Sequence, residues 1–228
     1  MALTKGVKRS LSEYFEGESI SIVKIFVGPE KKLFSLNERL LCDKIDFFRV
    51  AFQNNRFKEG IDKEMYLPED DSVAFGHLVD WIHSPTVDFV FTCNHSDHDL
   101  GERKESNQSS HTTRWCDLFV LAEKYAIDGL MHHAEVSYAV CLDICKLLFS
   151  EEEVNIAYHQ TLDGSALRKK MVELAVHAFF TGTPVTDLGT RMSAHPVFAA
   201  DVLSRIDAHI KTRGESSCEI YPCTFHRK

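Results

Sequence analysis

Cys93, His95, His98, His111 and Cys116 are of the types that hold zinc, because thiolate sulfur and imidazole nitrogen are soft and borderline donors. A structural zinc site draws them from short pairs, about two to four residues apart, so that four donors converge. Here the histidines stand in a polar stretch, and no two of the seven cysteines are separated by two residues. The set reads as a solvated segment holding no metal. His132 with His133, which are adjacent, and Cys141 with Cys145, which share a helix face by geometry alone, are weaker still.

Catalytic arrangements fare no better. Asp70 and Asp71 are adjacent carboxylates before an apolar helical pattern, which suits a helix cap better than acid–base work. Gly28 and Gly60 stand alone, so there is no glycine-rich phosphate cradle with Lys and Ser/Thr. Neither His-Glu-x-x-His nor Gly-x-Ser-x-Gly occurs. The chain is expected to be a non-enzyme without a cofactor.

The elements that would position these residues follow from the periodicity. Residues 21–27 put Val23, Ile25 and Val27 on one face and Ile22 and Phe26 on the other, and Gly28 with Pro29 ends the strand. Residues 31–36 return beside it, with Leu33 and Ser35 on one face and Phe34 and Leu36 on the other. Residues 37–52 carry a helical pattern broken around 43–46, and residues 64–67 read as a third strand stopped by Pro68. A helix capped by Asp70 or Asp71 runs to His83 with the stripe Phe75, Leu78, Val79 and Ile82.

Residues 92–114 are poor in apolar side chains and read as an exposed insertion with no role in folding. Helical pattern resumes at Trp115, passes a turn at 127–129 and continues over 130–149. Glu151, Glu152 and Glu153 suit a first helical turn, and Asp163 is placed to cap the following helix. Residues 184–189 read as a link, and the last helix, about 196–210, carries Phe198, Val202, Leu203, Ile206 and Ile210 on one stripe.

The 228 residues have a net charge of -8, with 34 acidic against 26 basic side chains, which argues against nucleic acid as a partner. Sixteen Phe favour packing and interfaces. Residues 1–11 lack the apolar run of a secretory signal, and apolar stretches such as 136–149 are interrupted by Asp143 and Lys146. The expectation is a protein of the nucleus or cytoplasm, away from the membrane, whose cysteines are buried thiols.

Taken in order, certain words resemble the BTB (POZ) domain family: Val23, Lys24, Ile25, Phe26, Val27, Gly28; Phe34 and residues 36–41; Asp46, Phe47, Phe48, Ala51, Phe52; Phe57, Lys58, Glu59; Leu67, Pro68, Glu69, Asp70, Asp71; Phe75, Trp81, Ile82; and Leu121, Ala122, Glu123, Lys124, Tyr125. Downstream, Tyr158 and Thr161 with Ser165, Leu167 and Arg168 resemble the C-terminal region of fungal BTB proteins. Asn37 stands where the family usually has His, and its amide can still cap or brace the next helix.

The resemblance implies an α+β fold, a short three-stranded sheet capped by a cluster of helices, over residues 18–131, with the polar insertion at about 92–114. An all-helical C-terminal region, 132–213, is expected to follow. It also implies a protein-interaction module: an adaptor for a cullin-type ubiquitin ligase, or a homodimeric or transcription-associated scaffold without cullin contact. In cullin-binding members a hydrophobic residue, any residue and a Glu follow the helix that here ends near Phe52, and Phe57, Lys58 and Glu59 match that pattern. Phe52, Phe57, Lys58 and Glu59 are therefore the expected partner contacts. Against this stands the plainer reading that Phe57 seals its own core while Glu59 faces water.

Overall fold

The computed structural model describes residues 10, 12–16, 20–53, 57–84, 111–145, 147–182 and 185–213. The chain divides into two units, Met1–Cys145 and Lys146–Lys228. The boundary expected at 131 falls inside a helix that runs unbroken from Asp128 to Cys145.

In unit 1 the alternating run forms β1, Ile22–Val27, with Val23, Ile25 and Val27 fully buried. Gly28 turns the chain at φ 77, where a Cβ would come within 2.6 Å of the Glu30 carboxylate. The chain returns as β2, Lys32–Asn37, antiparallel to β1 with Ile25 opposite Phe34 and Val23 opposite Leu36. Asn37 then caps α1, Glu38–Lys44: its side-chain oxygen accepts from the Leu40 amide at 2.9 Å, and its amide nitrogen donates to the Tyr14 carbonyl at 2.7 Å. The bracing role expected of this residue is thus realised.

Ile45 is extended, and α2, Asp46–Gln53, starts immediately after it, which separates the helical pattern where Asp43 and Asp46 interrupt it. A short helix, α3, Lys58–Asp62, comes before β3, Glu64–Leu67, which lies parallel to β1 on the side away from β2. The sheet is therefore mixed, in the order β2-β1-β3. On its outer side Leu33, Phe26 and Tyr66 form a row across all three strands, with Phe26 and Tyr66 stacked at 4.7 Å.

Asp71 caps α4, Ser72–His83, accepting from the amides of Val73 and Ala74. Helix α5 spans His111–Lys124 and α6 spans Asp128–Cys145. The start of α5 precedes the expected position because Thr112 and Thr113, 3% and 1% exposed, bury polar side chains that give no apolar signal. Residues 111–114 therefore belong to unit 1's helices, and 92–110 lie outside the described residues. Between α5 and α6 Ala126 sits at φ 54, so the turn falls one residue or more before the expected 127–129.

Unit 2 is helical among its described residues. Ser150 opens α7, Glu151–Gln160, with a capping box to Glu153. Ser165, not Asp163, caps α8, Ala166–Thr181, because the Ser165 hydroxyl accepts from the Leu167 amide while Asp163 pairs with Arg168. Residues 185–189 of the expected link belong to α9, Val185–Ala194, and α10 is Pro196–Arg213. Phe198 and Val202 are the buried anchors of α10, whereas Leu203 and Ile210 are each 59% exposed, so the expected stripe is buried only in its first half.

Among the described residues no helix is long and apolar enough to cross a membrane.

Candidate functional site

The expected partner contacts fall on α2 and α3, which pack against one another. Helix α2 is two-sided. Phe48 and Phe52 are fully buried and stack at 6.3 Å, while Phe47 and Val50 are 43% and 50% exposed. Adjacent side chains on a helix point about 100° apart, and here the face that buries Phe48 leaves Phe47 at the helix's edge. A ring with no exposed area offers nothing to a partner, so Phe52 is a core residue and leaves the expected contact set.

Phe57 does not seal the core. It stands in extended backbone as the residue before α3, its carbonyl takes the Gly60 amide at 3.1 Å, and the residue is 49% exposed. Lys58 is exposed and reaches Asp62 at 3.8 Å, a surface pair of little weight. Glu59 is half-buried. Gly60 is buried within α3. Ile61, four residues after Phe57, is the most exposed apolar side chain of this segment at 67%.

Lys63 fixes the end of α3. It turns the chain at φ 55 while its amide bonds the Glu59 carbonyl, and its ammonium reaches Glu38 at 2.7 Å and the Phe52 carbonyl at 3.3 Å. This clamp joins α1, the end of α2 and β3 around a helix too short to be stable alone. The resulting segment exposes apolar area at Phe57 and Ile61 among the charged side chains Lys58, Glu59 and Asp62, a composition suited to protein contact.

The floor of α2 is held from below. Tyr125 packs its ring against Phe47 at 4.9 Å and Phe48 at 5.2 Å, and its hydroxyl donates to Asp70, which also receives the Lys124 ammonium at 2.5 Å. Asp70 is only 6% exposed, and burial, with the bond to Asp70 next, pushes the Tyr125 pKa up. Of the two adjacent acids one is a cap and the other a buried anchor. Nothing in their spacing separates the roles, but Lys124 and Tyr125 were visible as a pair.

The polar words of unit 2 also converge. Arg168 of α8 donates from Nε to the Ala157 carbonyl and Thr161 Oγ1, and from one terminal nitrogen to the carbonyls of Tyr158 and Thr161. Its other terminal nitrogen meets Asp163, and the guanidinium lies 5.0 Å from the Tyr158 ring centroid. This is a cap for the open carbonyl end of α7. Beside it lies a cavity of ≈ 820 Å³ lined by residues that include Tyr158, Lys169, Glu173, Asp201 and Arg205.

No group of three or more His, Cys, Asp or Glu is placed to hold a metal among the described residues. Cys93, His95 and His98 lie outside those residues, and Cys116 is fully buried in α5. Cys42, Cys116 and Cys141 are buried and in no disulfide, and burial pushes the Cys42 thiol up to about 12, far from a reactive thiolate. No protein-family model matches the chain, and no curated protein matches it.

Proposed function

We propose that this chain is a non-enzymatic interaction module of the BTB/POZ type, with a helical C-terminal region like that of fungal members, and that unit 1 contacts a cullin-type scaffold through α2 and α3. The observation that carries the reading is the exposure of Phe57 and Ile61, 49% and 67%, on a short helix clamped by Lys63. Large apolar side chains on a fixed, charged-rimmed surface are how interfaces combine burial with orientation.

The family reading is further supported by the order of elements around the mixed sheet. It is supported too by the way two of the resembling words meet: Asp70 of the first is bound by Lys124 and Tyr125 of the second.

The test is a titration of wild type, Phe57→Glu and Glu69→Ala against a cullin N-terminal fragment, with each variant first shown to be folded. A charge placed in a dry contact should weaken binding by roughly 2 kcal/mol or more. Glu69 is exposed, and its removal should leave affinity nearly unchanged. Absence of wild-type affinity, or full affinity in Phe57→Glu, overturns the cullin reading in favour of a self-associating scaffold.

A further inference from the structure

Helix α10 of unit 2 is capped in an unusual way. The amides of a first helical turn need acceptors, and Ser, Asp or Asn usually supply them. Here the residue before Pro196 is His195, which is 8% exposed, and the Phe198 amide donates to its Nδ1 at 3.3 Å. Pro196 has no amide to satisfy and its φ suits the first helical position, so the imidazole carries the side-chain part of the cap. Nδ1 can accept only when it bears no proton, which fixes a neutral ring with its proton on Nε2.

The groups facing this ring come from each packed element. From α7, Tyr158 lies 4.7 Å away between ring centroids and His159 lies 5.0 Å away. Arg168 of α8 and Asp201 of α10 act on it electrostatically, and Tyr158 hydrogen-bonds Asp201 at 2.7 Å. Arg191 of α9 is turned to the Phe149 carbonyl. Asp201 and, after it, a backbone hydrogen bond favour a proton on His195. Burial foremost, then His159 and Arg168, oppose it, so the pKa of His195 lies below the ordinary histidine value. The positive end of the helix dipole opposes it further.

We propose that His195 is an acid-sensitive latch: neutral, it holds the first turn of α10, and protonated, it releases that turn. A proton on Nδ1 turns the acceptor into a donor aimed at the Phe198 amide and puts a cation at the positive end of the helix. The release would free Phe198, which is fully buried and packs edge-on against Phe149 at 5.7 Å. Acid would thus uncover apolar surface in unit 2. Because the folded pKa lies below the unfolded value of about 6.5, the unfolded chain binds the extra proton. The stabilisation is complete above about pH 6.5 and is lost as pH falls from there toward the folded pKa. One proton sets a ceiling of about tenfold per pH unit.

The experiment follows amide-exchange protection factors of residues 198–202 in the full chain from pH 7.5 to 5.0, with the His195 ring resonances recorded in parallel. Wild type should lose protection by up to about tenfold per pH unit below about 6.5. His195→Asn, which keeps an acceptor that does not titrate, should show a flat profile. His159→Gln removes a neighbour that opposes the proton on His195, so it should raise the His195 midpoint and narrow the pH range over which protection is lost. Flat protection in wild type, an unaltered slope in His195→Asn, or a His195 ring titrating at or above about 6.5 overturns the proposal. If His195→Asn does not fold, the wild-type ring titration and the His159→Gln shift still decide it.

Discussion

The Tyr125 hydroxyl is hydrogen-bonded to Asp70, 55 residues earlier in the chain, while the Tyr125 ring lies against Phe47 and Phe48 of α2. One side chain thus joins the segment before α4 to the end of α5 and supports the helix that presents the candidate interface. Tyr125→Phe keeps the ring and leaves Asp70 with Lys124 alone. It should lower the stability of unit 1 by about 1 to 3 kcal/mol, read from chemical unfolding.

The same bond has a pH signature. Burial and Asp70 raise the Tyr125 pKa, so in the folded state the phenol keeps its proton where an unfolded tyrosine, near pH 10, loses it. The associated stability is present below about pH 10 and is lost as pH rises beyond it. Tyr125→Phe should unfold with a shallower alkaline dependence than wild type, and equal slopes would show that this phenol is not the linked group.

Phe48 and Trp81 both sit on apolar helical stripes, and the sequence gives no reason to rank them. The structure does: Phe48 is fully buried among Phe47, Phe52, Phe75 and Tyr125, whereas Trp81 is partly exposed and lies beside Gly129. Phe48→Ala should cost about 3 to 5 kcal/mol and Trp81→Ala distinctly less. An unchanged unfolding midpoint in Phe48→Ala would remove α2 from the core.

What could be read from the chain was what periodicity encodes. Strand faces with period two grouped Val23, Ile25 and Val27 on one face, which is the buried one, and β3 was bounded by Pro68. What escaped had no apolar signature. Helix α3 is short and mostly polar, the start of α5 buries two threonines, and α9 lies in a segment that reads as a link. The exposed apolar surface of this segment was legible only in part for the same reason: the motif indicated Phe57, but Phe52 is buried and Ile61 emerges only once α3 is seen. Periodicity reports burial and says little about which apolar residue stays outside.

Arg168 gives unit 2 a similarly specific test. Its guanidinium satisfies the carbonyls of Ala157, Tyr158 and Thr161 from one plane, a fork that an ammonium cannot reproduce. Arg168→Lys keeps the charge yet should destabilise unit 2 by about 1 to 3 kcal/mol by leaving carbonyls unbonded. Asp163→Asn should be nearly silent, because the Asp163 side chain is fully exposed. A silent Arg168→Lys would mean that charge, not geometry, closes the end of α7.

Phe57 and Ile61 project from α3 while contributing little to the core, so a charge at Ile61 separates binding from folding. Ile61→Asp should leave the unfolding midpoint within about 0.5 kcal/mol of wild type, as expected for an exposed position. Binding to the cullin fragment should weaken at least tenfold if the ring of Phe57 and the side chain of Ile61 enter one dry contact. Leu33 supplies the control: it is 51% exposed on the outer side of the sheet, as apolar as Ile61 and on a different element. Leu33→Asp should bind like wild type. Equal losses in the two variants would point to general stickiness of exposed apolar side chains, and a loss at Leu33 alone would move the interface from α3 to the sheet.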